Sequence, residues 1–164
     1  MIRYKTFTSP LGTMLAAANE HGLTRVDFID SKYMRPVDPD WQEDTKHPSL
    51  VACEKQLAEY FEGERAVFDL PLNPRGTPFQ KRIWEEISGV AYGETIIYSE
   101  LARRAGSPGS SRAAGAATGR NPIAIIVPCH RIVGADGSLT GYAGGLPRKT
   151  RLLELEGVLQ GSLV

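Results

Sequence analysis

The nine residues Leu70–Pro78, LPLNPRGTP, most limit what this 164-residue chain can fold into. Three prolines and a glycine in nine positions stop a helix or a central strand from running through. Apolar patterning differs on the two sides, so two units sharing the chain are expected, 1–75 and 76–164. Before the break, RYKTF, TMLAAA and LTRVDFI are short strand-like runs separated by the turn signals SPLG and NEHG. Residues 31–48, rich in Pro and Asp, read as a surface loop. SLVACEKQLAEYF then sets Leu50, Cys53, Leu57, Tyr60 and Phe61 on one helical stripe, with Ser49 as the expected cap and Gly63 as the stop. Cys53 is expected there as a small core residue.

After the break, Thr77-Pro78-Phe79-Gln80 carries the signals of a capped helix start: Thr at the N-cap, Pro at the first helical position, Gln to close a capping box. Phe79, Ile83 and Ile87 form that helix's apolar face. AYGETIIYS gives a turn and a short β-branched run. SELARRA, ending at Gly106, the turn SPG, and SSRAAGAATG, stopped by Gly119 and Asn121-Pro122, lay out a helix-turn-helix. Ala113, Ala114, Gly115, Ala116 and Ala117 give the second helix almost no side-chain bulk. Either it packs tightly on a neighbour or its backbone approaches DNA, with Arg112 and Ser110 or Ser111 supplying polar contacts from the first turn.

ADGSLTGYAGG holds four glycines from Gly137 to Gly145, a sign of backbone freedom or close approach. PRKTRLLELEG is a helix with Pro147 near its start and Gly157 past its end. Its last residue, Glu156, has the wrong charge for a helix C-terminus and needs a partner elsewhere.

Net charge is zero, with −3 on residues 1–75 and +3 on 76–164. Residues 101–131 hold five arginines and no acid. Neutrality argues against strong indiscriminate DNA binding, while the arginine stretch suggests a local surface for anions. Two cysteines exclude a disulfide scaffold, and His21, His47 and His130 are too scattered for metal-ligand spacing. No run is long and apolar enough for a membrane span, and MIRYKTFTSPLG has no secretory core, so a cytoplasmic protein is expected.

IVPCHRIVG places Cys129 between a proline and a histidine. A free thiol, with a pKa near ~8.5, is mostly protonated at neutral pH. An imidazole can take its proton, and a carboxylate can hold that imidazole in one tautomer. Cys129, His130 and Glu156 supply the residue types for those three roles. A bare Cys-His dipeptide is weak evidence, and a small buried cysteine is the alternative.

PCHR with the upstream Asn121-Pro122, followed by GYAGG and LLELEG in this order, resembles the O6-alkylguanine-DNA alkyltransferases. The resemblance covers roughly Gly76–Gly157; upstream it is fainter, in TSPLG and QLAEYFEG, and looks like the bacterial single-chain type without a regulatory domain. It implies an α+β fold: a small ribonuclease-H-like α/β domain, then a winged-helix-like domain with the helix-turn-helix. It also implies irreversible transfer of an alkyl group from O6 of guanine in DNA to Cys129, once per molecule and without a cofactor. O4-alkylthymine is a further candidate substrate.

Under that resemblance His130 takes the thiol proton through a water and Glu156 orients the imidazole. Asn121 braces the turn, and Tyr98 donates a proton toward N3 of the leaving guanine. The backbone around Cys129, with Val127, reads the base edge, while Tyr142, Ala143 and Gly144 wall the pocket. Arg112 fills the duplex where the base has swung out, and Ser110, Ser111, Ala113, Ala114 and Gly115 face the minor groove. The implied partner is double-stranded DNA with alkylated bases, bound without sequence preference by a monomer, with cooperative binding open. Vertebrate members bind a structural zinc, but the needed cysteines are absent, so no metal is expected. Ala143 stands where the vertebrate form has serine and Ala124 where it has proline, which suggests a pocket of different width. Two other functions compete. Family-related lesion sensors lack the cysteine that is present here. A Cys-His-Glu hydrolase would leave Arg112 on an Ala/Gly helix unexplained.

Overall fold

The structure is a computed structural model and describes residues 1–159. The chain forms two compact units: residues 1–75 with 122–124, and residues 76–121 with 125–164.

In the first unit, β1 (Arg3–Ser9), β2 (Gly12–Asn19) and β3 (Gly22–Phe28) form an antiparallel meander. A short β4 (Gln42–Glu43) adds in parallel beside β1, giving the order β3-β2-β1-β4. This strand falls inside the stretch expected to be loop. Two residues are too few to show a period, and their pairing is non-local. The central strand β2 is buried from Met14 to Ala18. Helix α1 (Pro48–Phe61) packs on the sheet through Leu50, Cys53, Leu57 and Tyr60, while Phe61 is half-buried. The cap is His47, two residues ahead of the expected Ser49: its Nδ1 accepts the Ser49 amide at 3.2 Å, and Pro48 opens the helix.

Gly22 is needed where β3 begins. A Cβ there would stand 2.7 Å from the Pro71 carbonyl, and Leu23 N–H bonds that carbonyl at 2.8 Å. On the same strand Val26 donates to Pro122 O and accepts from Ala124 N, both at 2.8 Å, so three residues from the second half of the sequence lie along β3. A proline at 124 could not donate that bond. Ala124 therefore pairs with this strand through its backbone.

The second unit begins with α2 (Pro78–Ser88), whose Thr77–Gln80 capping box is formed in both directions. It buries Ile83, Trp84 and Ile87. The strand β5 (Ile96–Ile97) pairs in parallel with β6 (Ile132–Val133). α3 (Tyr98–Arg104) and α4 (Ser111–Gly119) form the helix-turn-helix. The Trp84 indole N–H donates to Ala117 O at 2.8 Å, pinning α4 against α2. α5 (Leu146–Leu155) closes the unit, burying Lys149, Leu152 and Leu153. Ile125 has φ +70°, a left-handed conformation that a β-branched residue rarely adopts. Such strain costs on the order of 1–3 kcal/mol and sits four residues before Cys129.

Candidate active site

The turn that carries the cysteine follows from its proline. Pro128 has φ −81° and ψ 65°, an inverse γ-turn, and Cys129 N–H closes it on Val127 O at 2.8 Å. The pyrrolidine ring fixes that φ in advance. Cys129–Arg131 then make one 3-10 turn, closed by Arg131 N–H on Pro128 O at 2.9 Å. Asn121 is buried, and its amide donates to the same Val127 oxygen at 2.8 Å. Val127 O thus already accepts two bonds, which fill a carbonyl's two lone pairs. The Val127 carbonyl thus braces the turn.

Cys129 is 8% exposed and His130 is fully buried. His130 Nε2 lies 2.7 Å from Glu156 Oε2, joining residues 26 positions apart. Glu156 caps α5, and Gly157 behind it has φ +81°, which lets the chain leave the helix and close Val158 N–H on Leu153 O at 2.9 Å. Two further donors reach the carboxylate that had carried no expectation from the sequence. Arg131 Nε meets Oε1 at 2.8 Å and Nη2 meets Oε2 at 3.0 Å. The Gly93 amide meets Oε1 at 3.2 Å. The misplaced charge at the helix end is answered by these groups. Arg131 stands between two apolar runs in IVPCHRIVG, and that burial signal was readable. Its partner was not, because sequence gives no distance.

Lys149 is the second such residue. It is fully buried on α5, and its ammonium donates to Ile132 O at 2.6 Å and Thr140 O at 3.0 Å. Burial pushes it down to about 8, against the pull of nearby Cys129. Burial is also the main cause holding His130 below its ordinary value; Glu156 opposes it, and Arg131 and Lys149 add to it. Burial thus favours the neutral imidazole. Cys53 contrasts with Cys129: it is sealed in the first unit's core, and burial, then Glu54, push its thiol up to about 12.

Tyr98 opens α3, and its hydroxyl receives a bond from Thr140 at 3.2 Å. A Cβ on Gly115 would stand 3.6 Å from the Tyr98 ring, so the glycine of α4 lies against that tyrosine. Tyr142, Ala143 and Gly144 are half-buried in the loop before α5, with Gly145 N–H closing on Tyr142 O at 2.8 Å. On α4 the small residues divide between two faces, one packed inward and one exposed. Ala114, Ala117 and Thr118 are buried. Arg112, Ala113 and Ala116 are exposed, and Ser110, Ser111 and Gly115 are intermediate. Ala114 was expected toward DNA; its side chain faces inward, because i, i+3 and i+4 share one face.

The arginine-rich stretch is less cationic than its sequence suggests. Glu100, just outside it, pairs with Arg103 and Arg104 at 2.6 and 2.8 Å, and Arg131 is paired with Glu156. Arg112 is exposed and makes no ion pair among the described residues. No three His, Cys, Asp or Glu side chains gather as a metal set among the described residues. No described helix is long and apolar enough to cross a membrane. A cleft of about 1050 Å³ in the first unit, lined by Arg25, Arg35 and Trp41 among others, contains none of the residues above.

A mixed α/β unit and a helix-turn-helix unit, the latter with a buried His130–Glu156 pair next in sequence to Cys129, define a two-domain protein. Residues 2–74 match the ribonuclease-like domain of 6-O-methylguanine DNA methyltransferase, and residues 78–158 match its DNA-binding domain. The chain belongs to the 6-O-methylguanine DNA methyltransferase family. It is 46% identical to a methylated-DNA–protein-cysteine methyltransferase of Mycolicibacterium paratuberculosis, over 95% of this chain and 93% of that one. To the protein of the same name in Methanosarcina acetivorans it is 48% identical, over 94% and 97%. Among solved structures it resembles Mycobacterium tuberculosis OGT in complex with DNA, at TM-score 0.86 and 44% identity, covering 94% of this chain and 92% of that one.

Proposed function

We propose that this chain repairs O6-alkylguanine in DNA by moving the alkyl group irreversibly to Cys129. The observation that carries the reading is the buried His130–Glu156 pair, 2.7 Å apart, next to a cysteine held on a proline-fixed turn. The thiol proton passes to His130, through a bridging water. The thiolate attacks the alkyl carbon; the S–C bond forms as the C–O6 bond breaks, and its electrons return to the guanine ring. Tyr98 gives a proton toward N3 as the base leaves. Glu156 steadies the imidazolium, and Asn121 holds the turn through Val127. The sulfur ends as a thioether that nothing in the mechanism cleaves, so each molecule acts once.

The reacting atom lies inside the base stack, so the nucleotide must swing out, at a cost of a few kcal/mol. Arg112, exposed in the first turn of α4, is the side chain we assign to fill the gap, with Ser110, Ser111, Ala113 and Gly115 along the minor groove. Sequence tolerance follows if contacts favour backbone over base edges. The protein works as a monomer on DNA, in the cytoplasm.

Titrating the protein with excess methylated-guanine oligonucleotide tests this reading. Methyl loss should stop at one per chain. Continued turnover would sink it and favour the hydrolase. Ala143 sets a further expectation. Small walls leave volume, and a methylene in an apolar pocket is worth roughly 1–3 kcal/mol. Ala143→Ser should therefore slow transfer of benzyl relative to methyl by about tenfold. An unchanged benzyl-to-methyl rate ratio would remove Ala143 from the pocket wall.

A further inference from the structure

Four nitrogens surround the carboxylate of Glu156, two at each oxygen: Arg131 Nε and the Gly93 amide at Oε1, Arg131 Nη2 and His130 Nε2 at Oε2. A carboxylate offers about four lone-pair sites, so all are used. The Arg131 and Gly93 donors always carry their hydrogens. With the Arg131 guanidinium paired to it, Glu156 is held in its charged form, which can only accept, so the hydrogen between it and His130 sits on Nε2. In a neutral imidazole the other nitrogen is then an acceptor. That nitrogen, Nδ1, is buried and has no hydrogen-bond partner among the described residues.

We propose that Arg131 is a positioning residue of the transfer reaction: by occupying Glu156 through two N–H groups, it keeps His130 a neutral base with its proton on Nε2 and Nδ1 left to accept the thiol proton. Its own placement is fixed. The guanidinium is 5% exposed at the residue level, Nη1 donates to Val90 O at 2.6 Å, and the group lies over the Tyr92 ring at 5.7 Å. An arginine remains charged when buried, and its planar fork matches a carboxylate with two parallel bonds. Facing Glu156 with no such partner, His130 would sit beside an uncompensated anion and hold a second proton to higher pH. Imidazolium carries hydrogen on both nitrogens and cannot receive the proton of Cys129. Among the described residues, the charged group acting on His130 besides Glu156 and Arg131 is Lys149 on α5; α2 buries Ile83, Trp84 and Ile87. Lys149 acts in the same direction as Arg131 but bonds Ile132 and Thr140, leaving the carboxylate to Arg131.

This inference rests on His130 serving as the base, and the test separates the two. Ring nitrogens of ¹⁵N-histidine protein are followed by NMR from pH 5 to 9 in the wild type, Arg131→Gln and Arg131→Lys, with His130 assigned against His21→Gln and His47→Gln. Single-turnover transfer from free O6-benzylguanine is measured over the same range. The wild type should show the neutral Nε2–H form at pH 7. In Arg131→Gln, both the His130 titration and the acid limb of the rate should move up by a pH unit or more. Arg131→Lys, which keeps the charge, should leave both within half a unit of the wild type. A merely structural arginine would change the folded yield of both variants and move neither curve. Imidazolium or the Nδ1–H form in the wild type at pH 7 would overturn the proposal even if Arg131→Gln does not fold. So would an unmoved His130 titration in a folded Arg131→Gln. An NMR shift with no alkyl transfer in any protein would leave the role of Arg131 standing and reject the reaction.

Discussion

Arg112→Ala and Arg112→Lys should both repair a lesion in duplex DNA at least about 10²-fold more slowly than the wild type, since extrusion costs a few kcal/mol and each 1.36 kcal/mol is tenfold in rate. Arg112 is exposed, has no ion pair among the described residues, and projects from a helix whose outer neighbours are alanines. No other long side chain stands in that turn. An arginine that met only a phosphate would be replaceable by lysine at modest cost, and its loss would flatten the salt dependence of all DNA binding. An arginine that enters the stack lies flat on bases and donates in several directions, which lysine cannot copy. The deficit should shrink for a lesion opposite an abasic site or in a single strand. Reaction with the free modified base should be nearly unchanged, because no stack is broken. Equal losses on all of these substrates would place Arg112 in ordinary phosphate or structural contacts.

Glu156→Gln should combine two large effects. The first is chemical. A positioned general base contributes on the order of 10²–10⁴-fold, and the carboxylate supports the imidazolium only while the thiolate forms. The single-turnover constant should therefore fall by about 10² or more while lesion binding changes little. The second is structural and follows from Arg131. Removing one partner of a buried ion pair costs about 3–5 kcal/mol, because the other charge stays buried. That is a large part of the roughly 5–15 kcal/mol that holds a domain folded, so the melting temperature should drop clearly. Rates must be compared at a temperature where both proteins are folded. Parallel losses in affinity and rate would mean that the fold, and not the chemical step, had failed.

Local signals carried much of this protein. The Thr77–Gln80 box and the α1 stripe are properties of neighbours in sequence, and each stands where its residues suggested. Glu156 was legible as a charge in the wrong place, and so pointed to a partner before any distance was known. What stayed hidden was set by non-local contact. The β4 pairing, the three residues 122–124 along β3, and the burial of Lys149 leave no periodic trace. The backbone bond of Ala124 to Val26 was hidden for the same reason: it uses an N–H, which every residue but proline has. The inward turn of Ala114 was missed because a helix with alanines on every side has no contrast between faces. Arg131 was visible in the motif, yet only the fold shows that it shares a carboxylate with the histidine beside it.

The most direct test of the account is the mass of the intact protein after reaction with a methylated-guanine duplex, followed by peptide mapping. The account predicts a gain of one CH₂ per chain, found on the peptide with Cys129, with the guanine restored in the DNA. Cys53, fully buried and with its thiol pushed up to about 12, should stay unmodified. An unchanged protein mass with the methyl group lost from the DNA, or the adduct on Cys53, would contradict the account.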